Sequence, residues 1–124
     1  MSQIDEAVIK KDISNSLEAE QFVIGSMLLD QEAIGVASEQ ITGDDFFNKQ
    51  YGIVFDAIVE MHKEGKPIDI DSLQSHLQEK AASKEICRLE YLQDVLGALP
   101  TSANIKYYAG IVAEKSLLRK VNPQ

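Results

Sequence analysis

From about residue 15 onward, apolar positions recur along the chain with helical spacing. Leu17, Ile24 and Leu28 mark one face with Val23 and Met27 beside it, a recurrence at three and four residues that predicts an amphipathic helix. Asn15 followed by Glu18 is a capping-box-like start, and Glu18 and Glu20 place acids in the first turn, where the helix dipole favours them. This helix is expected to end near Leu29. Asp30 then caps a second helix from about Gln31 to Gln40, with a weaker face of Ala33, Ile34, Ala37 and Ile41. Gly35 costs that helix some stability.

The stretch from Ile41 to Asp45 reads as a turn leading into Phe46 and Phe47, two aromatics expected to plug the core. Asn48 caps the clearest helix of the chain. Its stripe of Phe47, Tyr51, Val54, Phe55, Ile58, Val59 and His62 marks it as the central helix. Gly65 is its carboxy-terminal cap, and Pro67 blocks continuation and leaves Ile68 extended. Asp69 or Asp71 caps a fourth helix anchored by Leu73 and Leu77, which ends around Ala82 and Ser83. A fifth is expected from about Glu85 to Leu96, carrying Ile86, Leu89, Leu92, Val95 and Leu96 inward until Pro100 ends the unit.

Ser102 or Asn104 caps the last helix, with Ile105, Tyr108 and Val112 on one face. Tyr107, Ile111 and Leu118 form a second apolar stripe. Either both stripes pack on this domain, or one awaits a partner or further chain; Tyr107, Ile111 and Leu118 are the candidate protein interface. The chain reaches Gln124 with no glycine stop, which predicts a piece of a longer protein. The expected fold is all-α, a compact bundle of about six helices joined by short loops. Its expected divisions are a mobile arm over 1–14, a helical domain over 15–120, and the start of a linker or a helix continuation over 121–124.

With 124 residues the chain has the length of one domain with one core. Hydrophobic residues at 44% and charged residues at 26% are ordinary globular composition. The apolar runs are far shorter than the roughly 20 residues of a membrane-spanning helix, and the amino terminus lacks a secretory pattern. The cytoplasm is the expected compartment, and the lone Cys87 agrees with reducing conditions. A net charge of -8 argues against direct nucleic-acid binding, which rests on basic residues releasing counterions. Lys106, Lys115, Arg119 and Lys120 near the end are read as cations favoured by a helix carboxy terminus.

No catalytic, cofactor or metal site emerges. Gly65-Lys66 is followed by proline and lacks the remainder of a phosphate-binding loop. His62, His76 and Cys87 are too few for a closed zinc shell without acidic ligands. His62 is expected at the core edge, His76 facing solvent and Cys87 buried as a small apolar residue. Asp44, Asp45, Asp69 and Asp71 each precede a predicted helix, so capping explains them without paired-carboxylate chemistry.

In order and spacing the chain resembles the amino-terminal domain of replicative DNA helicases of the DnaB family. The residues that carry the likeness begin with Leu17 to Glu20 and Ile24 to Asp30. They continue through Asp45 to Phe47, Ile53 to Ile58, and Gly65 to Asp69 with Leu73 and Leu77. Tyr91-Leu92, Ala103 to Ile105, Tyr108-Ala109, Ile111-Val112, Glu114-Lys115 and Leu118-Arg119 complete it. One departure is the segment Glu85 to Arg88, where relatives often have glycines; it implies a shorter loop and an earlier fifth helix.

The resemblance implies a non-catalytic domain that forms a collar of a hexameric ring and docks primase, sometimes a helicase loader, during DNA replication. It implies that ATP, magnesium and strand translocation belong to a following motor domain. It also implies that the last helix stops before the family's helical hairpin, the element of contact with other helicase subunits, is complete. A monomer is therefore expected. The alternative is a stand-alone adaptor or inhibitor that mimics such a domain.

Overall fold

The structure is a computed structural model that describes residues 17–80, 82–96 and 104–121. The expected arm, the Asn15 and Ser102 caps, Pro100 and residues 122–124 lie outside them. The described residues form six α-helices and one 3-10 turn, with no strand among them.

Helix α1, over 17–29, buries Ala19, Glu20, Val23, Ile24 and Met27. Leu17 and Leu28, expected on its inner face, are half-buried, so that face is centred nearer Val23. Helix α2, Gln31–Gln40, starts where the Asp30 carboxylate accepts the Glu32 N–H at 2.9 Å, and it buries Ala33, Ile34 and Ala37. The side-chain acceptor satisfies one of the amide donors that a helix start leaves unpaired.

The 3-10 turn Gly43–Asp45 lies against α3, Lys49–Lys63. Asn48 caps α3 by accepting the Gln50 and Tyr51 N–H groups. Gly43 and Gly52 let turn and helix touch backbone to backbone: a Cβ on Gly52 would overlap the Gly43 carbonyl oxygen. Asp56 fixes the contact by accepting the Gly43 N–H at 2.9 Å. Val54, Phe55, Ile58 and Met61 carry α3 into the core, and Phe46 meets Phe55 with ring centroids 5.1 Å apart. Burying one such aromatic contributes about 1.5–3 kcal/mol.

Gly65, with φ of +73°, stops α3 in the left-handed region that glycine tolerates. Asp69, rather than Asp71, caps α4, Ile70–Glu79, by accepting the Ser72 N–H at 2.8 Å. Leu73, His76 and Leu77 are the buried residues of α4. The fifth helix begins later than expected, as α5, Leu89–Leu96. Residues 84–87 are a turn in which the Gln74 side chain donates to the Cys87 carbonyl at 2.7 Å. That bond ties the segment to α4 instead of to a regular helix start. Ile86, Leu92 and Val95 are buried as expected, whereas Leu89 is exposed.

Helix α6, Ile105–Val121, starts directly after Asn104, packs on α2 and on the 3-10 turn, and buries Ile105, Ala109, Val112 and Ser116. Its Tyr108 meets Phe22 of α1 edge-on at 4.8 Å. The Gln21 side chain donates to the Asp94 and Val95 carbonyls and joins α1 to the end of α5.

Candidate functional site

Ile105, Ala109, Val112 and Ser116 recur at four, three and four residues and form the inner edge of α6. Tyr107, Ile111, Leu118 and Val121 share the far side of the same helix, with the exposed Glu114 between them. Tyr107 is 66% exposed, Leu118 49% and Val121 66%. Ile111 is half-buried against the core. Of the residues expected to form an interface, Tyr107 and Leu118 thus stand in solvent, and Ile111 is the root of the stripe. Leu117, 61% exposed, widens the patch toward the carboxy-terminal end. Contiguous exposed apolar area of this kind is the chemistry that contacts between proteins use.

The end of α6 is held by a polar latch. The buried Ser116 hydroxyl donates to Asp45 Oδ1 at 2.6 Å, Lys120 Nζ donates to the same oxygen at 3.1 Å, and Arg119 Nη2 donates to the Asp45 carbonyl at 2.6 Å. Asp45 Oδ2 accepts the Thr42 N–H at 2.8 Å, closing a capping box on the 3-10 turn. Burial alone would raise the Asp45 carboxyl; the Ser116 hydroxyl, the Thr42 N–H and the Lys120 ammonium outweigh it and hold it below its ordinary value. Arg119 and Lys120 occupy the last turn of α6, as the helix dipole favours, and they also clamp it to the 3-10 turn.

Phe47 corrects the expected stripe of α3. It is 48% exposed while Phe46 is buried, because the backbone is extended at Phe46 and successive side chains of extended chain point opposite ways. The Arg119 guanidinium lies over the Phe47 ring, 5.5 Å from its centroid. Glu20, read from sequence as a first-turn acid, is fully buried and accepts the Phe47 and Asn48 N–H groups at 2.6 and 3.0 Å. Burial pushes its carboxyl above the ordinary value, and the two N–H donors and the Arg119 charge only partly offset that. Its signal in sequence is position: an acid in register with Val23, Ile24 and Met27 on an apolar face.

The two histidines exchange the places expected of them. His62 is exposed, because Met61 occupies the inner position at that end of α3. His76 is 3% exposed, since it shares the inner face of α4 with Leu73 and Leu77. Lys66 Nζ lies 3.3 Å from His76 Nδ1, and His76 Nε2 lies 3.5 Å from Glu60 Oε1. Cys87 is buried in the turn before α5. The structure does not bring Asp69, Asp71 and His62 together with Asp44 and Asp45: Asp69 caps α4, Asp71 is in its first turn, and Asp44 is in the 3-10 turn. Among the described residues no cluster of three or more His, Cys, Asp or Glu is placed to hold a metal, and no helix is long and apolar enough to cross a membrane.

Comparison with known proteins agrees with this arrangement. Residues 12–114 match the family described as DnaB-like helicase N terminal domain. The replicative DNA helicase DnaC of Bacillus subtilis is 37% identical over 106 residues, covering 86% of this chain and 23% of the relative. The replicative DNA helicase DnaB of Mycobacterium leprae is 39% identical over 105 residues, covering 85% of this chain and 17% of the relative. This chain therefore spans about a quarter or less of the relatives it matches. Among solved structures, the N-terminal domain of DnaB helicase from Mycobacterium tuberculosis superposes with a TM-score of 0.80 at 38% identity, over 85% of this chain and 76% of that one. The corresponding Helicobacter pylori domain, described together with its interactions with primase, shares the fold with a TM-score of 0.77 at 22% identity, over 98% of this chain and 89% of that one.

Proposed function

This chain belongs to the family of DnaB-like helicase N-terminal domains, and from that premise we propose that it is a docking and ring-assembly module of a hexameric replicative helicase. Unwinding, ATP and magnesium belong in this reading to the remainder of a full-length protein. The chain's own task is to offer a surface. The single observation that carries the proposal is the outer stripe of α6, where Tyr107, Leu118 and Val121 are exposed on a helix whose other face is buried. Ile111 supports that stripe from beneath.

Primase is the proposed partner, and a helicase loader and other helicase subunits are further proposed occupants in the assembled ring. By itself the chain is proposed to be monomeric. Glu114 interrupts the stripe and the chain carries a net charge of -8, so two copies brought face to face would oppose like charges. The Asp45 latch supports the reading by holding the end of α6 in one orientation, which lowers the ordering cost that a partner would otherwise meet.

Titration calorimetry with the primase of the same organism tests this. Saturable binding by the chain, weakened at least about tenfold by a Tyr107→Asp/Leu118→Asp variant, is expected from loss of an interface anchor. No heat from the unaltered chain contradicts docking.

A further inference from the structure

Helix α3 has a second surface besides the face it buries. Lys49, Ile53, Asp56, Ala57 and Glu60 follow one another at four, three, one and three residues, which places them along one side of the helix. Ile53 is 45% exposed in the middle of that side. A concavity lies on each flank of Ile53 and Asp56. The one toward the 3-10 turn, ≈ 240 Å³, is walled by Gly43, Asp44 and Lys49. The one toward α4, ≈ 320 Å³, is walled by Ala57, Leu77 and Ala82.

The two flanks differ in chemistry. On the α4 side the aliphatic groups dominate, and the two charges at the rim cancel, because Lys80 Nζ lies 2.6 Å from Glu60 Oε1. On the other side Asp44 and Asp56 share one concavity. Burial raises the Asp56 carboxyl above its ordinary value, and the charges of Asp44 and Glu60 raise it further, against the Gly43 N–H. Among the described residues the charges that act on Asp56 are thus both negative. Lys49 lines the same concavity, but it stands two helical turns before Asp56, about 10 Å along the axis and about one Debye length away at physiological salt.

We propose that this side of α3 docks a short segment of another protein in which an aliphatic side chain stands next to a lysine or arginine. The aliphatic side chain enters the α4-side concavity over Ala57 and Leu77 and covers Ile53. The cation enters the other concavity against Asp44 and Asp56.

Charge selects this occupant. An acidic segment would add like charge to Asp44 and Asp56, and a second copy of this chain would bring a net charge of -8 to a surface already negative. A wholly apolar segment would fill the α4 side but desolvate Asp56 without a partner. The walls are already in place. Gly43 and Gly52 let the 3-10 turn rest on α3, and Asp56 holds it there by accepting the Gly43 N–H at 2.9 Å, so little ordering is left for binding to impose. No residue of α6 lines either concavity, and the proposal holds or fails independently of docking on the outer stripe of α6.

Selection from a random linear peptide library on the full 124-residue chain, with counter-selection on an Ile53→Lys variant, tests it. Ile53 is exposed, so that variant keeps the fold, which an unchanged thermal midpoint checks. Surviving peptides are expected to carry Leu, Ile, Val or Met beside Lys or Arg. A synthetic copy of the commonest survivor is expected to move the amide signals of Ile53, Asp56, Ala57 and Leu77 and to bind more weakly as salt rises. It is expected to bind about tenfold more weakly to Asp44→Asn/Asp56→Asn; an asparagine amide oxygen still accepts the Gly43 N–H, so this variant keeps the turn in place. The absence of any survivor overturns the proposal. So do survivors without a cation, survivors that bind Asp44→Asn/Asp56→Asn undiminished, and amide shifts confined to other helices. A chain that sediments as a dimer and becomes a monomer in Ile53→Lys assigns the face to a second copy and overturns it as well.

Discussion

The Glu20 carboxylate accepts the backbone N–H of Phe47 at 2.6 Å, and this one bond explains why a fully buried acid and an exposed aromatic coexist beside the core. With the Asn48 N–H on its other oxygen, Glu20 joins α1 to the start of α3 and sets the chain so that Phe46 turns in and Phe47 turns out. Glu20→Gln keeps the shape but sets an amide donor against one of those N–H groups. It is expected to cost about 1–3 kcal/mol, the cost of an unsatisfied buried donor, read as a lower urea midpoint.

The buried Glu20 and the half-buried Asp45 act in opposite directions with pH. Glu20 lies above its ordinary 4.5 in the fold, so the folded chain holds that proton more tightly than the unfolded chain. Its contribution is present below 4.5 and is lost as pH rises through the raised value. Asp45 lies below its ordinary 3.8; its contribution is present above 3.8 and is lost as pH falls through the lowered value. As pH rises above 4.5 the urea midpoint is expected to fall less in Glu20→Gln than in the unaltered chain, and as pH drops below 3.8 it is expected to fall less in Asp45→Asn.

Two glycines in helices give opposite results. Gly52→Ala drives a methyl group into the Gly43 carbonyl and is expected to destabilise by about 1–3 kcal/mol, the usual cost of overpacking. Gly35→Ala meets no atom within 4 Å and is expected to stabilise by about 0.5–1 kcal/mol through helix propensity. Thermal melts of the two variants side by side check both.

The histidines separate burial from pattern. His76→Ala empties a buried position between α3 and α4 and is expected to cost about 2 kcal/mol, as buried large-to-small changes do. His62→Ala, at an exposed site, is expected to stay within about 0.5 kcal/mol. Equal losses would contradict the placement of both.

What the sequence made legible was local. Asp30, Asn48, Asp69 and Gly65 act within a few residues of themselves, so the boundaries of α2, α3 and α4 follow from spacing. What it hid was set by distant chain. Glu20 finds its partners 27 and 28 residues away, and Ser116 finds Asp45 71 residues away; a helical period registers neither. The α5 start moved because Gln74 takes the Cys87 carbonyl, and the histidines exchanged roles because Met61 fills the inner end of α3. At the candidate site the periodicity found Tyr107, Ile111 and Leu118 as a second stripe, but how far each stands from the core depends on where α2 and the 3-10 turn meet α6.

The measurement that tests the account most directly is a map of amide shifts in the isotopically labelled chain as primase from the same organism is added. The account predicts that the largest changes trace the outer side of α6, at Tyr107, Ile111, Leu118 and Val121, and that Ala33 and Ile34 in α2 stay still. No change at saturating primase, or changes confined to other helices while the outer side of α6 is silent, would contradict it.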